Sequence, residues 1–123
     1  MILVDSSVWI DHFRKPEPDL IELLQKGVVL THPAVIEELA CGVIREMETV
    51  LDLLQKLPKA PSAQHGEVMG LIAAEKLSGS GVGAVDVHLL AAARLAHAKL
   101  WTKDKALANV ARRLDLIADG YLP

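Results

Sequence analysis

Hydrophobic and polar positions alternate along this chain between short apolar blocks and longer stretches of helical period. Ile2, Leu3 and Val4 form an unbroken apolar run that ends at Asp5. A strand covered on both faces needs side chains that give up little hydration on either side, so Ile2 to Asp5 reads as a buried central strand. Val8, Trp9, Ile10 and Phe13 then recur at helical spacing, predicting a helix from about Ser7 to Arg14. Pro16 to Asp19 marks a turn, and Leu20 to Lys26 a second helix that Gly27 ends as a C′ residue. Val28 to Thr31 is apolar and β-branched, hence a strand.

Pro33 sits where a first helical turn tolerates a missing N–H, opening a helix to about Val43. Ile44 to Leu57 continues helically until Pro58 and Pro61, and Ser62 to Leu77 reads as a further helix. Ser78 to Gly83, SGSGVG, is a loop of small residues able to pass close to a ligand. Ala84 to Ala98 leaves little polar face and predicts a buried helix. Leu100 to Thr102 is a strand, Lys105 to Arg113 an amphipathic helix, and a last short strand lies around Leu116 to Ala118. The alternation predicts an α/β fold, a short parallel sheet flanked by helices, because parallel strands need crossover connections. The expected organisation is one domain over residues 1–123.

Composition narrows this picture. Apolar residues are 51% and aromatics 3%, so Leu, Val, Ile and Ala must build the core. No run approaches the ~20 apolar residues of a membrane span, and the N-terminus lacks a basic flank and long apolar stretch, so a cytoplasmic protein is expected. The lone Cys41 agrees with a reducing compartment and is expected to be a small buried hydrophobe with no catalytic role. A net charge of −3 argues against holding nucleic acid by a blanket of positive charge, though not against local contact with a phosphodiester.

Chemistry enters through the acids. In open parallel sheets the ligand crevice lies beyond the carboxyl ends of the strands. Asp5 stands at one such end and Asp104, in LWTKDKAL, just past another. Either could be an N-cap worth ~1 kcal/mol. Asp86, in GAVDVHLL, is the hardest to dismiss as a cap, because it is set among apolar residues and a buried carboxylate must be paired or bind a cation. Hard oxygen ligands converging there suit Mg²⁺ or Mn²⁺ rather than zinc. A fourth acid should come from PAVIEELACG. At ~100° per residue, Glu37 and Glu38 lie about equally far from the stripe of Val35, Ile36, Leu39, Ala40 and Val43, and periodicity does not choose between them.

DSSVWIDHF, EELACG, GAVDVHLLAAA and LWTKDKAL, in this order and over nearly the whole chain, together resemble the PIN domain, in particular the VapC-type toxins of bacterial toxin–antitoxin pairs. The resemblance implies a three-layer sandwich and a metal-dependent endoribonuclease that uses Mg²⁺ or Mn²⁺, works on an RNA substrate, is restrained by an antitoxin and forms a homodimer. In that family an aspartate ends the first strand, a glutamate precedes Leu-x-x-Gly, a third acid opens the buried helix and a fourth follows a Thr-x-Asp turn. These positions fall on Asp5, Glu38, Asp86 and Asp104, with Asp5, Asp86 and Asp104 as metal ligands; Leu39 and Gly42 thereby select Glu38 and leave Glu37 on the surface. Many relatives carry one more acid two residues past the last aspartate, where this chain has Ala106, so one tightly held ion is expected, with a second recruited by substrate.

Ser6 and Thr102 are candidates to orient a ligand carboxylate or touch a phosphate, or are local capping hydroxyls, the more frequent case, and Lys103 and Lys105 are candidates to meet substrate. Arg14, Lys15, Arg112 and Arg113 could add positive charge at the rim, with a solvated helix face as the plainer reading of each. His12, His32, His65, His88 and His97 are scattered through different elements and no Gly-x-Ser-x-Gly elbow exists, so they read as ordinary partly buried histidines rather than as a triad. A receiver-type phosphorylation module would need an aspartate where VVLTHP ends in Thr31 and His32. A haloacid-dehalogenase-like phosphatase would need one at Ser7. A noncatalytic PIN scaffold binding RNA or protein is disfavoured because repelling carboxylates are costly to keep without a cation.

Overall fold

The computed structural model describes residues 1–120. In chain order the elements are β1 (Ile2–Val4), α1 (Ser6–Arg14), α2 (Pro18–Gln25), β2 (Val29–Leu30), α3 (Pro33–Ala40), α4 (Met47–Lys56), α5 (His65–Ala74), α6 (Ala84–Leu95), β3 (Lys99–Trp101) and α7 (Lys105–Arg113). This is the expected α/β fold.

The strands pair in parallel in the order β2-β1-β3, with Leu3 opposite both Leu30 and Leu100. Consecutive strand residues face opposite sides of a sheet. Leu3, Val4, Leu100 and Trp101 are nonetheless all buried, so both faces are covered. α6 packs on β1, β3 and α5, while α3 packs on α1 and α4. Both outer edges are closed by single parallel bridges, Thr31 with Lys59 and Leu100 with Ile117. The strand expected around Leu116 to Ala118 is therefore only a bridge. Leu116 O accepts from Leu100 N–H and Ala118 N–H donates to Leu100 O, after which the ladder stops.

Several helices are shorter than the apolar pattern suggests. α6 stops at Leu95 rather than Ala98 because His97 turns left-handed (φ 52°) and Ala98 N–H reaches back to Ala93 O, a Schellman closure. Lys76 (φ 54°) and Asp115 (φ 57°) end α5 and α7 the same way, and Gly27 (φ 70°) ends α2 as expected of it. α3 ends at Ala40, so Val43 does not belong to its apolar stripe and is fully exposed, and α4 begins at Met47 rather than Ile44. Cys41, at the end of α3, is exposed rather than buried. Among the described residues no helix is long and apolar enough to cross a membrane.

Candidate active site

The parallel register that sets Val4 beside Trp101 makes the next residues, Asp5 and Thr102, neighbours at the carboxyl edge of the sheet. Asp5 occupies the N-cap position of α1 with extended backbone (φ −70°, ψ 156°), yet its side chain makes no capping bond. Instead its Oδ2 accepts the Ser7 hydroxyl at 2.7 Å and the Thr102 hydroxyl at 2.7 Å. Asp5 is 5% exposed, and a carboxylate that dry needs such donors. Thr102 Oγ1 also accepts the Asp104 N–H at 3.1 Å, and Ser7 Oγ accepts the Lys103 N–H at 3.0 Å. The turn carrying Asp104 is thus pinned to the β1–α1 junction.

Asp104 does cap its helix. Its Oδ1 accepts the Leu107 N–H at 3.0 Å, and the residue is exposed. Asp86, in the first turn of α6 and half-buried, takes the Gly83 N–H on Oδ2 at 3.1 Å. On α3, Glu38 Oε1 accepts the Ser6 hydroxyl at 3.1 Å. Glu37 is exposed on the neighbouring face and acts electrostatically on His32 instead.

Glu38 and Asp86 sense the other acids. Burial pushes the Glu38 carboxyl above its usual range; the Ser6 hydrogen bond pulls it back, and the charges of Asp5 and Asp86 push it further up. Burial likewise raises Asp86, against the pull of the Gly83 N–H and with Asp5 and Asp104 adding to the rise. No lysine or arginine among the described residues forms an ion pair with any of the four. The donor chemistry, all anionic oxygen with no resident countercharge, fits a hard divalent cation. Their spacing is open: among the described residues no three histidine, cysteine, aspartate or glutamate side chains are grouped closely enough to hold one ion together. A cation would have to draw these carboxylates inward.

Ser6 and Thr102 both donate their hydroxyls to carboxylates, Glu38 and Asp5, and Thr102 also accepts the Asp104 N–H of its own turn. Lys103 places its ammonium against Asp11 at 3.0 Å and Glu17 at 3.6 Å; the hydrogen bond to Asp11 raises its pKa against the opposing effect of burial, with help from the charges of both acids. Lys105 is exposed at the start of α7 and forms no ion pair among the described residues. Ser7, which sequence reasoning passed over, holds Asp5 as firmly as Thr102 does. Its signal was its place two residues after an N-cap acid, where a hydroxyl and a carboxylate can meet. Ala106 lies against the glycine loop: a Cβ at Gly81 (φ 89°) would meet Ala106 Cβ at 3.2 Å.

The histidines serve elsewhere. His32 is buried and caps α3, its Nδ1 accepting the Ala34 N–H at 3.0 Å, and burial, with His88 adding to it against Glu37, lowers its pKa. His12 Nδ1 accepts the Glu17 N–H at 3.0 Å and is likewise lowered by burial against the opposing charge of Glu17. His65 and His97 are exposed rather than partly buried, because each sits at a helix end.

Residues 2–113 match the family model described as the PIN domain. Two curated relatives, both called Ribonuclease VapC32 and found in Mycobacterium tuberculosis strains CDC 1551 / Oshkosh and ATCC 25618 / H37Rv, are each 49% identical over 108 residues, covering 87% of this chain and 87% of the relative.

Proposed function

The chain belongs to the PIN-domain family, and from that premise we propose that it is a metal-dependent endoribonuclease, the toxin of a VapBC-type toxin–antitoxin pair. The observation that supports the reading is electrostatic: the charges of Asp5 and Asp86 act on Glu38 and those of Asp5 and Asp104 on Asp86, and no lysine or arginine among the described residues forms an ion pair with any of the four. The ribonuclease name of the relatives supports RNA as the substrate. In this reading a single PIN domain works in the cytoplasm as a homodimer, and a cognate antitoxin restrains it.

Hydrolysis of a phosphodiester adds water across a P–O bond: the water oxygen joins phosphorus, and its proton ultimately satisfies the departing oxygen. A bound Mg²⁺ or Mn²⁺ supplies acidified water and neutralises charge on the phosphate. Asp5, Asp86 and Asp104 would hold it, with Glu38 completing the ring of acids. What the chain contributes is preorganisation. Ser7 and Thr102 occupy Asp5 Oδ2 and fix the carboxylate plane, leaving Oδ1 without either hydroxyl. Asp104 spends Oδ1 on its helix, which orients Oδ2. Ser6 holds one oxygen of Glu38. Ala106, set against Gly81, offers no further acid, in keeping with one tightly held ion and a second arriving with substrate.

The direct test is incubation of single-stranded and structured RNA with the purified protein. Cleavage in Mg²⁺ or Mn²⁺ that stops on chelation is expected, and undiminished cleavage in excess chelator would sink the metal mechanism.

A further inference from the structure

A groove of about 850 Å³ opens beside Glu38, between α1 and the 41–46 segment that joins α3 to α4. Arg14 and Arg45 line it together with Glu38, Glu46 and apolar Ile10, Phe13 and Val43, and neither glutamate is paired with either arginine. Val43 is 105% exposed and Ile10 40%, so neither is committed to the core. Phe13 is held by a stacked contact with Trp9, ring centroids 6.0 Å apart and planes at 30°. Arg14 also borders a second opening, shared with Lys15 and Lys103, and so stands on the ridge between the two.

A polyanion brought to four carboxylates is repelled, and cations beside the site must offset that repulsion. A cation already neutralised by acids contributes little. Lys103 is in that state, paired with Asp11 and Glu17, and Arg94 faces Glu75. Arg14 and Arg45 have no ion pair or hydrogen bond among the described residues. A free guanidinium presents a fork of donors that matches phosphate oxygens two at a time. An apolar, partly aromatic wall between such forks accepts an unstacked base of any identity, which a duplex does not offer.

We propose that this groove is the track for single-stranded RNA on one side of the cleaved bond, with Arg14 and Arg45 holding backbone phosphates and Ile10, Phe13 and Val43 taking a base. The assignment rests on RNA as the substrate. It makes Arg14 and Arg45 positioning residues: they set where the strand lies while the acids act on the bond.

The test uses a fluorescently labelled single-stranded RNA of mixed sequence. Binding is followed by anisotropy in chelator, and cleavage in Mn²⁺. Arg14→Ala and Arg45→Ala should each weaken binding about tenfold, and each should flatten the dependence of log affinity on log salt by about 0.7. KM should rise while kcat stays within about twofold. Arg→Lys at either position should restore most of the salt dependence, and Arg112→Ala, on the far end of α7, should change nothing. Unchanged affinity and salt slope in both alanine variants would overturn the proposal. So would loss of binding to a protein antitoxin with RNA binding intact, which would give the groove to a protein. If the parent binds RNA through these arginines yet cleaves none with any divalent metal, the track stands and the nuclease reading fails.

Discussion

Thr102 donates its hydroxyl to Asp5 Oδ2 at 2.7 Å across 97 positions of sequence, and the same oxygen receives Ser7. Asp5 stands where a helix cap belongs and does not cap. Two hydroxyl donors on one oxygen make its burial tolerable and fix the plane of its carboxylate.

Thr102→Val keeps the shape and removes the donor to Asp5 and the acceptor for the Asp104 N–H. Urea unfolding should show a loss of about 2 kcal/mol, the scale of a buried hydrogen bond to a charged group. RNA cleavage should fall at least about tenfold as Asp5 loses its fixed orientation. Thr102→Ser should retain most of both.

The pH dependence follows from Glu38 and Asp86, whose carboxyls are both raised by burial and by neighbouring acids. A group with a raised folded pKa keeps its proton longer when folded than when unfolded. The native state then binds more protons, and stability without metal falls as pH rises from the ordinary carboxylate range through the raised values. Thermal melts in chelator should show this decline from mildly acidic toward neutral pH, and Asp86→Asn should flatten it. A metal-free protein whose stability rises over that window would contradict the site's electrostatics.

How much of this was legible in the chain varies by element. The buried strand ending in Asp5, the order of helices and strands, and the positions of Asp5, Asp86 and Asp104 could be read because hydrophobic period and junction chemistry are local signals. Helix ends at Lys76, His97 and Asp115 were hidden: each takes the left-handed conformation that normally advertises itself as glycine, as Gly27 did. Glu38 could not be separated from Glu37 by period, and required the Leu39 and Gly42 of the family pattern; in the structure Ser6 reaches Glu38. That Lys103 pairs with Asp11 and Glu17 depends on how α1 and the β3–α7 turn meet in space, which no local pattern carries.

Leu53, 59% exposed on α4, borders an apolar groove with Trp9, Phe13 and Leu57, as expected of a surface kept for a partner helix. Leu53→Asp should weaken a cognate antitoxin peptide at least about tenfold, the scale of losing one buried leucine contact, with RNA cleavage unchanged. Calorimetry with the peptide reads the first and a cleavage assay the second. Light scattering of the parent should report a dimer, and a strict monomer at all concentrations would count against that part of the reading.

We propose that the four acids are kept for a cation, even where Asp104 and Asp86 also accept backbone N–H groups at the starts of their helices. Each close pair of like charges costs on the order of 1 kcal/mol without metal. Asp86→Asn and Glu38→Gln remove that repulsion while keeping shape and hydrogen-bonding atoms. The decisive measurement is the melting temperature of each variant in chelator, taken beside its RNA cleavage in Mn²⁺. Cleavage should fall by orders of magnitude, the melting temperature should hold or rise, and added Mn²⁺ should stabilise the parent more than the variant because binding to the native state adds to its stability. A variant that melts well below the parent in chelator and still cuts RNA would show these acids to be structural.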